Sequence, residues 1–295
     1  MPRAHAQAWV PAKGQGVISL SYQQLRITNH TDIFGNAQSI GEILDRALYL
    51  NIDYGLSDRW AINFTAPYKS NRYVAGDSGG GHNPADLPPA FRHGQRFIDD
   101  GRFRGGWADW SASVRYQWRT EPLLITPFIT YSMPSHAYDF FAESADGTRQ
   151  WALTGGVNIG KRITTRPFQN LYWQAGYSYS FMQSKDNRRV NHDDLTLEAG
   201  YFISPRIGAH VSLERFKSYN GISDAEFFNP DGTPNWGFIT YHDSLLAVSY
   251  TKFGVGMDYQ LNANYQLYVD YGKTLKGTEV HLIDYAATFG IRRSF

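Results

Sequence analysis

The final thirteen residues of the chain alternate between apolar and polar side chains, and this constrains the fold more than any other feature. Counted back from the end in steps of two, one face carries Phe295, Arg293, Ile291, Phe289, Ala287, Tyr285 and Ile283. The other face carries Ser294, Arg292, Gly290, Thr288, Ala286 and Asp284. Successive side chains of a β-strand point to opposite faces, so this period of two predicts a strand with one apolar face.

A phenylalanine that closes such a strand resembles the assembly signal of Gram-negative outer-membrane β-barrels. The members of this signal are Phe295, Ile291, Phe289 and Tyr285. Arg293 departs from the pattern, because an apolar residue is usual on that face, but a long side chain at a strand end can reach the lipid headgroups. The resemblance implies that the partners of the chain are the barrel-assembly machinery and the lipid and lipopolysaccharide of the cell outer membrane.

The composition is compatible with a barrel and excludes a helical membrane span. Mean hydropathy is −0.44, and no run approaches the roughly 18 apolar residues that a spanning helix requires. A barrel strand exposes only alternate residues to lipid, so its average hydropathy is near neutral. Aromatic residues make up 16% of the chain, as expected where two aromatic girdles surround a barrel.

The charge and the cysteine count exclude several functions. The 28 basic and 27 acidic residues produce no net field that would attract nucleic acid. The absence of cysteine excludes disulfides, thiolate metal sites and cysteine nucleophiles. We therefore expect no cofactor and no nucleic-acid partner.

Period-two segments recur along the chain and predict an all-β fold: a single antiparallel up-and-down transmembrane β-barrel. The twelve predicted strands are 16–28, 43–54, 60–73, 107–118, 123–133, 150–161, 170–183, 194–203, 207–217, 243–260, 265–274 and 280–295. In the tenth, the apolar parity changes, which predicts a bulge near Thr251 and Lys252. Short connections alternate with long ones, and these are typical of periplasmic turns and extracellular loops respectively. The long connections are predicted at 29–42, 74–106, 134–149, 184–193 and 218–242.

The residues before the first strand are interpreted as an export remnant. Ala4-His5-Ala6 has the small-x-small pattern that signal peptidase recognises. We expect a cleaved signal peptide and a mature chain that starts near Gln7. The predicted organisation is a signal remnant and periplasmic segment at 1–15, followed by the barrel at 16–295.

The polar parity of the strands predicts the lumen lining. Its members are Asp53, Asn63, Lys69, Asp109, Arg115, Glu198, His210, Glu214, Asp258, Asp270, Asp284 and Arg292. These side chains could select solutes in an open pore, with the acidic excess favouring cationic or neutral polar solutes. They could equally form internal ion pairs that fill a narrow barrel, because unpaired buried charge is unfavourable.

Two chemical alternatives were also considered. His210 and Ser212 share one face and resemble the catalytic pair of outer-membrane lipid A deacylases and phospholipase A, with Glu214 as a group that could orient the histidine. The asparagine that accompanies the pair in those enzymes is absent, since Leu213 follows the serine. The predicted parity also points both side chains into the lumen, so we expect no enzymatic activity.

Histidines of the long loops are the second alternative. Seven of the nine lie on the long-loop side: His30, His82, His93, His136, His192, His242 and His281. If they converge they could bind a transition metal, but none has a tight ligand spacing and polar residues are common in loops. We therefore predict no metal site. The longest loop, 74–106, could constrict the lumen, cap the mouth, bind a partner or move freely.

Three motifs connect the chain with a broader family. They are Gly14-Gln15-Gly16, the turn 54–60 with its sequence Tyr-Gly-Leu-Ser-Asp-Arg-Trp, and the terminal strand. They resemble the family of outer-membrane barrels assigned to transport in the phenol-degradation meta pathway. The resemblance implies a passive or substrate-selective channel for small polar or weakly aromatic solutes. A structural barrel whose loops dock a surface protein, such as a cytochrome, lipoprotein or filament, is the other hypothesis.

Overall fold

The computed structural model describes residues 8–76 and 81–295, and these form a closed antiparallel β-barrel. The described residues contain thirteen strands: β1 (Gly16–Thr31), β2 (Ala37–Gly55), β3 (Trp60–Val74), β4 (Arg104–Trp107), β5 (Asp109–Tyr116), β6 (Leu124–Pro134), β7 (Ala152–Arg162), β8 (Leu171–Met182), β9 (Asn191–Ser204), β10 (Ile207–Tyr219), β11 (Ser249–Gln260), β12 (Tyr265–Thr278) and β13 (His281–Ser294). Strands follow one another around the barrel in chain order, and β1 pairs with β13 to close it.

Twelve positions make up the wall, because β4 and β5 both pair with β3 and together fill one position. The break between them falls at Ala108, opposite Pro67 of β3. Proline has no N–H to donate to the ladder, and only the Ala108 N–H to Pro67 O bond, at 3.0 Å, continues the pairing there. The predicted all-β barrel of twelve strands is confirmed.

Connections at the two ends of the barrel differ in length, as the sequence predicts. The short-turn end has 56–59, 117–123, 163–170, 205–206 and 261–264. The long-loop end has 75–103, 135–151, 183–190 and 220–248, together with the tight connections 32–36 and 279–280. The prediction of a long loop at 29–42 is wrong, because β1 and β2 extend past the sequence-based limits and pair as far as Thr31 and Ala37.

The predicted strand at 243–260 is wrong in its first six residues. A helix, α1 (Trp236–Leu245), occupies this part of the connection, and β11 begins only at Ser249. Asn235 caps the helix by accepting a 3.2 Å hydrogen bond from the Phe238 N–H. Leu245 and Leu246 are buried in an apolar cluster of the loops, so they do not face lipid. The predicted bulge between Thr251 and Lys252 is confirmed.

The two faces of the wall have the predicted polarity over most of the barrel. Phe289 and Ile291 point outward, and Phe295 closes the barrel through backbone hydrogen bonds with Gly16 of 2.9 and 3.0 Å. The prediction that Ile283 also points outward is wrong. A register shift between β1 and β13 turns it inward, where it packs on the buried cluster that contains Ile27.

Several sequence predictions fall on residues outside the described ranges. These are the signal remnant with Ala4-His5-Ala6 and Gln7, and the glycine-rich part of the longest loop at 77–80. Within the part of the chain that the structure describes, every helix is too short or too polar to cross a membrane.

The outward face of β12 provides a test of membrane orientation. Val269 is 48% exposed and lies about 10 Å along the barrel axis from the short-turn end of β12, near the middle of an apolar band about 25 Å tall. We expect Val269→Arg to lower the free energy of unfolding by about 2–4 kcal/mol, because arginine is costly near the midplane. The measurement is urea unfolding of the protein folded into lipid vesicles.

Leu275→Arg is the matched control for this substitution. Leu275 is also exposed on β12, but it lies near the long-loop end, where the same charge costs about 0–1 kcal/mol. Equal losses for the two variants would contradict the placement of the apolar band.

Candidate functional site

Most of the predicted lumen charges lie in contact with a partner inside the barrel. At the short-turn end, Arg115 is 3% exposed and forms an ion pair with Asp53. Arg292 donates to Asp258 at 2.8 Å and its guanidinium stacks 3.9 Å from the Tyr268 ring centroid. These contacts favour the internal ion-pair interpretation of the lining over that of free charges.

Other predicted lumen residues also have partners inside the barrel. These contacts are His210 Nε2 to Asp270 Oδ1 at 3.0 Å, Lys252 Nζ to Glu214 at 3.6 Å, Tyr172 to Glu198 at 3.0 Å, Lys69 to Asp45 at 3.1 Å, Tyr138 to Asp109, and Asn63 to the Ile52 carbonyl at 3.1 Å. Asp284 does not join them, because it lies at the register shift between β1 and β13, where it accepts from Thr28 at 2.9 Å and its charge acts on Arg26 of the outer face. Asp53, Asp258, Glu214 and Asp45 thus face an arginine or lysine, while Glu198 and Asp109 accept from tyrosines. These pairs neutralise part of the acidic excess of the predicted lining.

A chamber of about 210 Å³ lies between these walls. Its polar lining includes Gln23, Asn158, Glu198, His210, Ser212 and Asp270. A space of this size holds several water molecules or a small solute, since one water needs about 30 Å³. The chamber brings together four of the predicted lumen residues, including Glu214.

Residues 8–15 cross the lumen at the short-turn end; we call this segment the inner crossing. It is fixed on one side where the Gly14 N–H donates to Gly55 O at 2.9 Å. On the other side Ala8 is fully buried, its N–H donates to Gln174 of β8 and its carbonyl accepts a 2.6 Å bond from Thr126 of β6. Since β8 lies six positions from β1 in a twelve-position wall, the segment spans the barrel.

The inner crossing also contacts the wall charges. The Trp9 carbonyl accepts a 3.2 Å hydrogen bond from Arg115, and the Trp9 ring meets the edge of Tyr172 at 6.2 Å. Gly160 of β7 lies against the inner crossing. A Cβ at this position would come within 2.8 Å of the Ala8 methyl group. Nothing in the alternation of the sequence predicts this segment, since it lies outside the strands.

Loops from opposite walls meet over the other end of the barrel. We call the assembly of 81–103, 135–151 and 220–248 the lid. His82 follows β3 and its ring lies 4.7 Å from that of His242, which precedes β11. Glu143 precedes β7 and lies 3.5 Å from His281 at the start of β13. Each pair joins elements about six positions apart, so the lid lies across the mouth.

Two apolar clusters give the lid a core of its own. One contains the buried side chains of Val190, Ile222, Phe238, Leu245 and Leu246. The other contains Leu87, Tyr138, Phe140 and Phe141. Tyr241 of α1 packs on both and stacks on Phe140 at 5.2 Å. Asp99 then ties two loops together by accepting from the backbone N–H groups of His82, Glu143 and Ser144 at 2.9–3.0 Å. Of the functions considered for loop 74–106, the packing supports a cap.

A cluster of imidazoles and carboxylates lies where the lid meets the wall. It brings together four of the seven long-loop histidines, namely His30, His82, His242 and His281, with Glu143 and Asp243. His93, His136 and His192 lie elsewhere. No spacing in the sequence connects Glu143 with these histidines, because the contact arises only when the loops cross the mouth.

The cluster shifts the pKa values of the lid groups in opposite directions. Burial, and then the charge of His242, lower the pKa of His82 to about 4. Burial also opposes the charged form of His242, but the adjacent Asp243 carboxylate, 3.2 Å away, outweighs it and raises the pKa of His242 to about 9. The pKa of Asp243 lies well below its ordinary value, because attraction to His242 outweighs burial. At neutral pH His82 is thus neutral and His242 is charged.

The two chemical alternatives find little support in this geometry. His210 is oriented by Asp270 of β12, while the proposed orienting group Glu214 accepts from Tyr250 at 3.1 Å instead. His210 is also only 5% exposed, inside the barrel and away from lipid. For metals, no three His, Asp or Glu side chains among residues 8–76 and 81–295 are arranged to hold one ion.

Comparisons with known proteins identify the fold. No protein-family model and no curated protein matches the chain. Its structure is similar to that of a COG4313 outer membrane channel from Pseudomonas putida F1, with 13% identity, 100% of each chain covered and a TM-score of 0.72. It is also similar to the β domain of the Bordetella autotransporter BrkA (11% identity, 96% of this chain and 100% of that chain, TM-score 0.53) and to the NanC porin (10% identity, 94% and 98%, TM-score 0.51). At these identities the similarity establishes the fold alone.

Gly160 offers a test of the inner crossing. In Gly160→Val the new side chain would overlap Ala8 and the Trp9 ring, so we expect the segment to leave the lumen while the barrel stays folded. Trypsin should then cleave the folded protein after Lys13 several times faster than in the unchanged protein. The measurement is the rate of this cleavage, with folding checked by heat-dependent gel mobility.

Gly155→Val is the matched control on the same strand. A Cβ at Gly155 has no atom within 4 Å, so the rate of cleavage should not change. Faster cleavage in both variants would show a general loosening of β7 instead of a displaced segment.

Proposed function

We propose that the protein is an outer-membrane channel through which small polar solutes diffuse passively. The observation that carries the proposal is the polar chamber between the inner crossing and the lid. A chamber with hydrated, hydrogen-bonding walls can hold a solute in transit, and the two crossings limit which solutes enter and leave. The barrel fold, which the chain shares with an outer membrane channel and a porin, supports both the location and the role.

Solute selectivity in this proposal comes from size more than from charge. Because four wall carboxylates face an arginine or lysine, we expect only a weak preference for cations over anions. The resemblance to the phenol-degradation meta-pathway family adds weakly aromatic solutes to the class, and Tyr268 offers a ring to them in the chamber lining. The docking hypothesis remains a prediction, but the aromatic and histidine side chains that motivated it serve largely to hold the lid together.

The lid acts as the gate of this channel. The lid consists of several packed loops that meet at a cluster of titratable side chains. Packed surface loops open at a lower cost in free energy than the strands of a barrel wall. The groups that face the cluster are His82 and Asp99 of the first lid loop, Glu143 of the second, His242 and Asp243 of α1, His30 and Asp32 near the end of β1, and Glu279 and His281 near the start of β13.

Reconstitution in a planar bilayer tests the proposed channel directly. We expect discrete, low-conductance openings with a reversal potential that shows little ion preference. In Gly160→Val the single-channel conductance should rise, because the inner crossing no longer narrows the lumen, and in Gly155→Val it should not. A folded barrel that stays silent at every pH and voltage, including the Gly160→Val variant, would overturn the channel function.

The open probability of the channel should rise both below and above a pH of about 6.5. With the lid closed, the pKa of His82 is about 4, below the 6.5 of a solvated imidazole, so protons favour the open lid as the pH falls from 6.5 to 4. With the lid closed, the pKa of His242 is about 9, so the closed lid holds a proton that is lost as the pH rises from 6.5 to 9. Open probability should therefore be lowest near pH 6.5, and each histidine changes it by up to about tenfold per pH unit.

Single substitutions separate the acid and alkaline sides of this pH profile. His82→Gln should reduce the rise in open probability below pH 6.5 and leave the rise above pH 6.5 unchanged. His242→Gln should reduce the rise above pH 6.5 and leave the rise below it unchanged. His136, an exposed loop histidine outside the cluster, provides the control, since His136→Gln should retain both rises. Identical pH profiles for all four proteins would show that the cluster does not operate the lid, while leaving the channel itself intact.

A further inference from the structure

Three arginines lie at one level on the outward face of neighbouring strands. Arg26 of β1 and Arg72 of β3 both pair in register with Leu44 of β2, and Arg46 lies two residues further along β2. Their parity is that of the exposed side chains Tyr22, Leu48 and Tyr68. The three guanidinium groups therefore project from the outer wall of the barrel and not into the lumen.

The level of this patch matches the boundary of the apolar band. Nine residues separate Arg46 from Gly55 at the short-turn end of β2, which places Arg46 roughly 23 Å above that end for a rise of about 3.3 Å per residue and a tilt of about 40°. The apolar band of an outer-membrane barrel is about 25 Å tall. Tyr22, Tyr68 and Trp107 form an aromatic girdle directly beneath the arginines. Lipid headgroups lie at this height.

The patch is held in place by the longest loop. The Phe103 ring lies 4.1 Å from the guanidinium carbon of Arg46 and 5.0 Å from that of Arg72. Glu42 accepts from Arg26 at 2.8 Å and from Arg72 at 3.1 Å. Among the described residues, no carboxylate forms an ion pair with Arg46. With Asp284 acting on Arg26, three positive charges face two negative ones within the part of the chain that the structure describes.

We propose that Arg26, Arg46 and Arg72 bind a phosphate group of a phosphorylated glycolipid in the outer leaflet, as lipopolysaccharide carries. A guanidinium presents a planar fork of donors that fits phosphate oxygens, and stacking on Phe103 pre-organises two of the three forks. The outward position selects a membrane lipid as the source of the phosphate, because a soluble phosphate has no path along the lipid-facing wall. The site requires an outer-membrane location but not channel activity.

The test measures binding of lipid A to the purified, folded protein in detergent by native mass spectrometry. Arg46→Gln combined with Arg72→Gln should weaken binding at least tenfold, and lipid A without phosphates should bind the unchanged protein as weakly. The control combines Arg215→Gln with Lys217→Gln, which removes two charges from exposed positions of β10 on the far wall. This control should change the affinity less than twofold.

A charge-conserving variant tests whether the guanidinium geometry contributes to binding. Arg46→Lys retains the charge and loses the fork, so it should weaken binding several-fold even if the double variant folds poorly. Equal binding of phosphorylated and dephosphorylated lipid A would overturn the proposal, and so would equal losses in the two double variants. Displacement of lipid A by millimolar inorganic phosphate would show that the patch is a site for soluble phosphate and would overturn the lipid assignment.

Discussion

The pairing of β1 with β13 is the contact on which the rest of the structure depends. A strand in lipid cannot leave its N–H and C=O groups unpaired, because there is no water to satisfy them. Every edge must therefore be closed, and the hydrogen bonds between Gly16 and Phe295 begin the pairing that closes this one. Closure fixes the number of wall positions at twelve, and with it which strands lie opposite one another.

The interior follows from this geometry. Three connections span the barrel: the inner crossing from β1 to β8, the first lid loop to α1, and the second lid loop to β13. Each joins elements about six positions apart. Sequence-distant side chains such as Glu143 and His281 become neighbours only because the closed wall brings their loops to a common centre. The lumen is therefore narrowed by segments that begin and end at its rims, while the wall itself stays regular.

The sequence predicts those parts of the fold in which lipid and water determine the alternation of apolar and polar residues. Lipid on one side and water on the other impose a period of two, so the strands, the bulge at Thr251 and the short turns could be read directly. The alternation gives a wrong prediction where apolar side chains pack against other parts of the protein instead of facing lipid. Leu245 and Leu246 are buried within the lid, and Ile283 packs against Ile27 inside the wall. The crossings could not be predicted, since they depend on contacts between distant segments with no periodicity.

The division of charge between wall and lid supports the proposal that the lid is the gate. Four of the wall pairs join a carboxylate to a guanidinium or ammonium group. The ordinary pKa values of these groups lie far from neutrality, so the four pairs persist over a wide pH range. The lid carries imidazoles, whose ordinary pKa of about 6.5 lies between the values of about 4 for His82 and about 9 for His242 in the closed lid. Among the strand histidines, His30, His192 and His281 lie at the long-loop end, and His210 lies deeper in the wall. Its two carboxylate neighbours, Asp258 and Asp270, belong to strands that cannot move apart without breaking the ladder. A change of protonation in the wall is therefore resisted by the strand ladder, whereas in the proposed gate it alters the balance between the closed and the open lid.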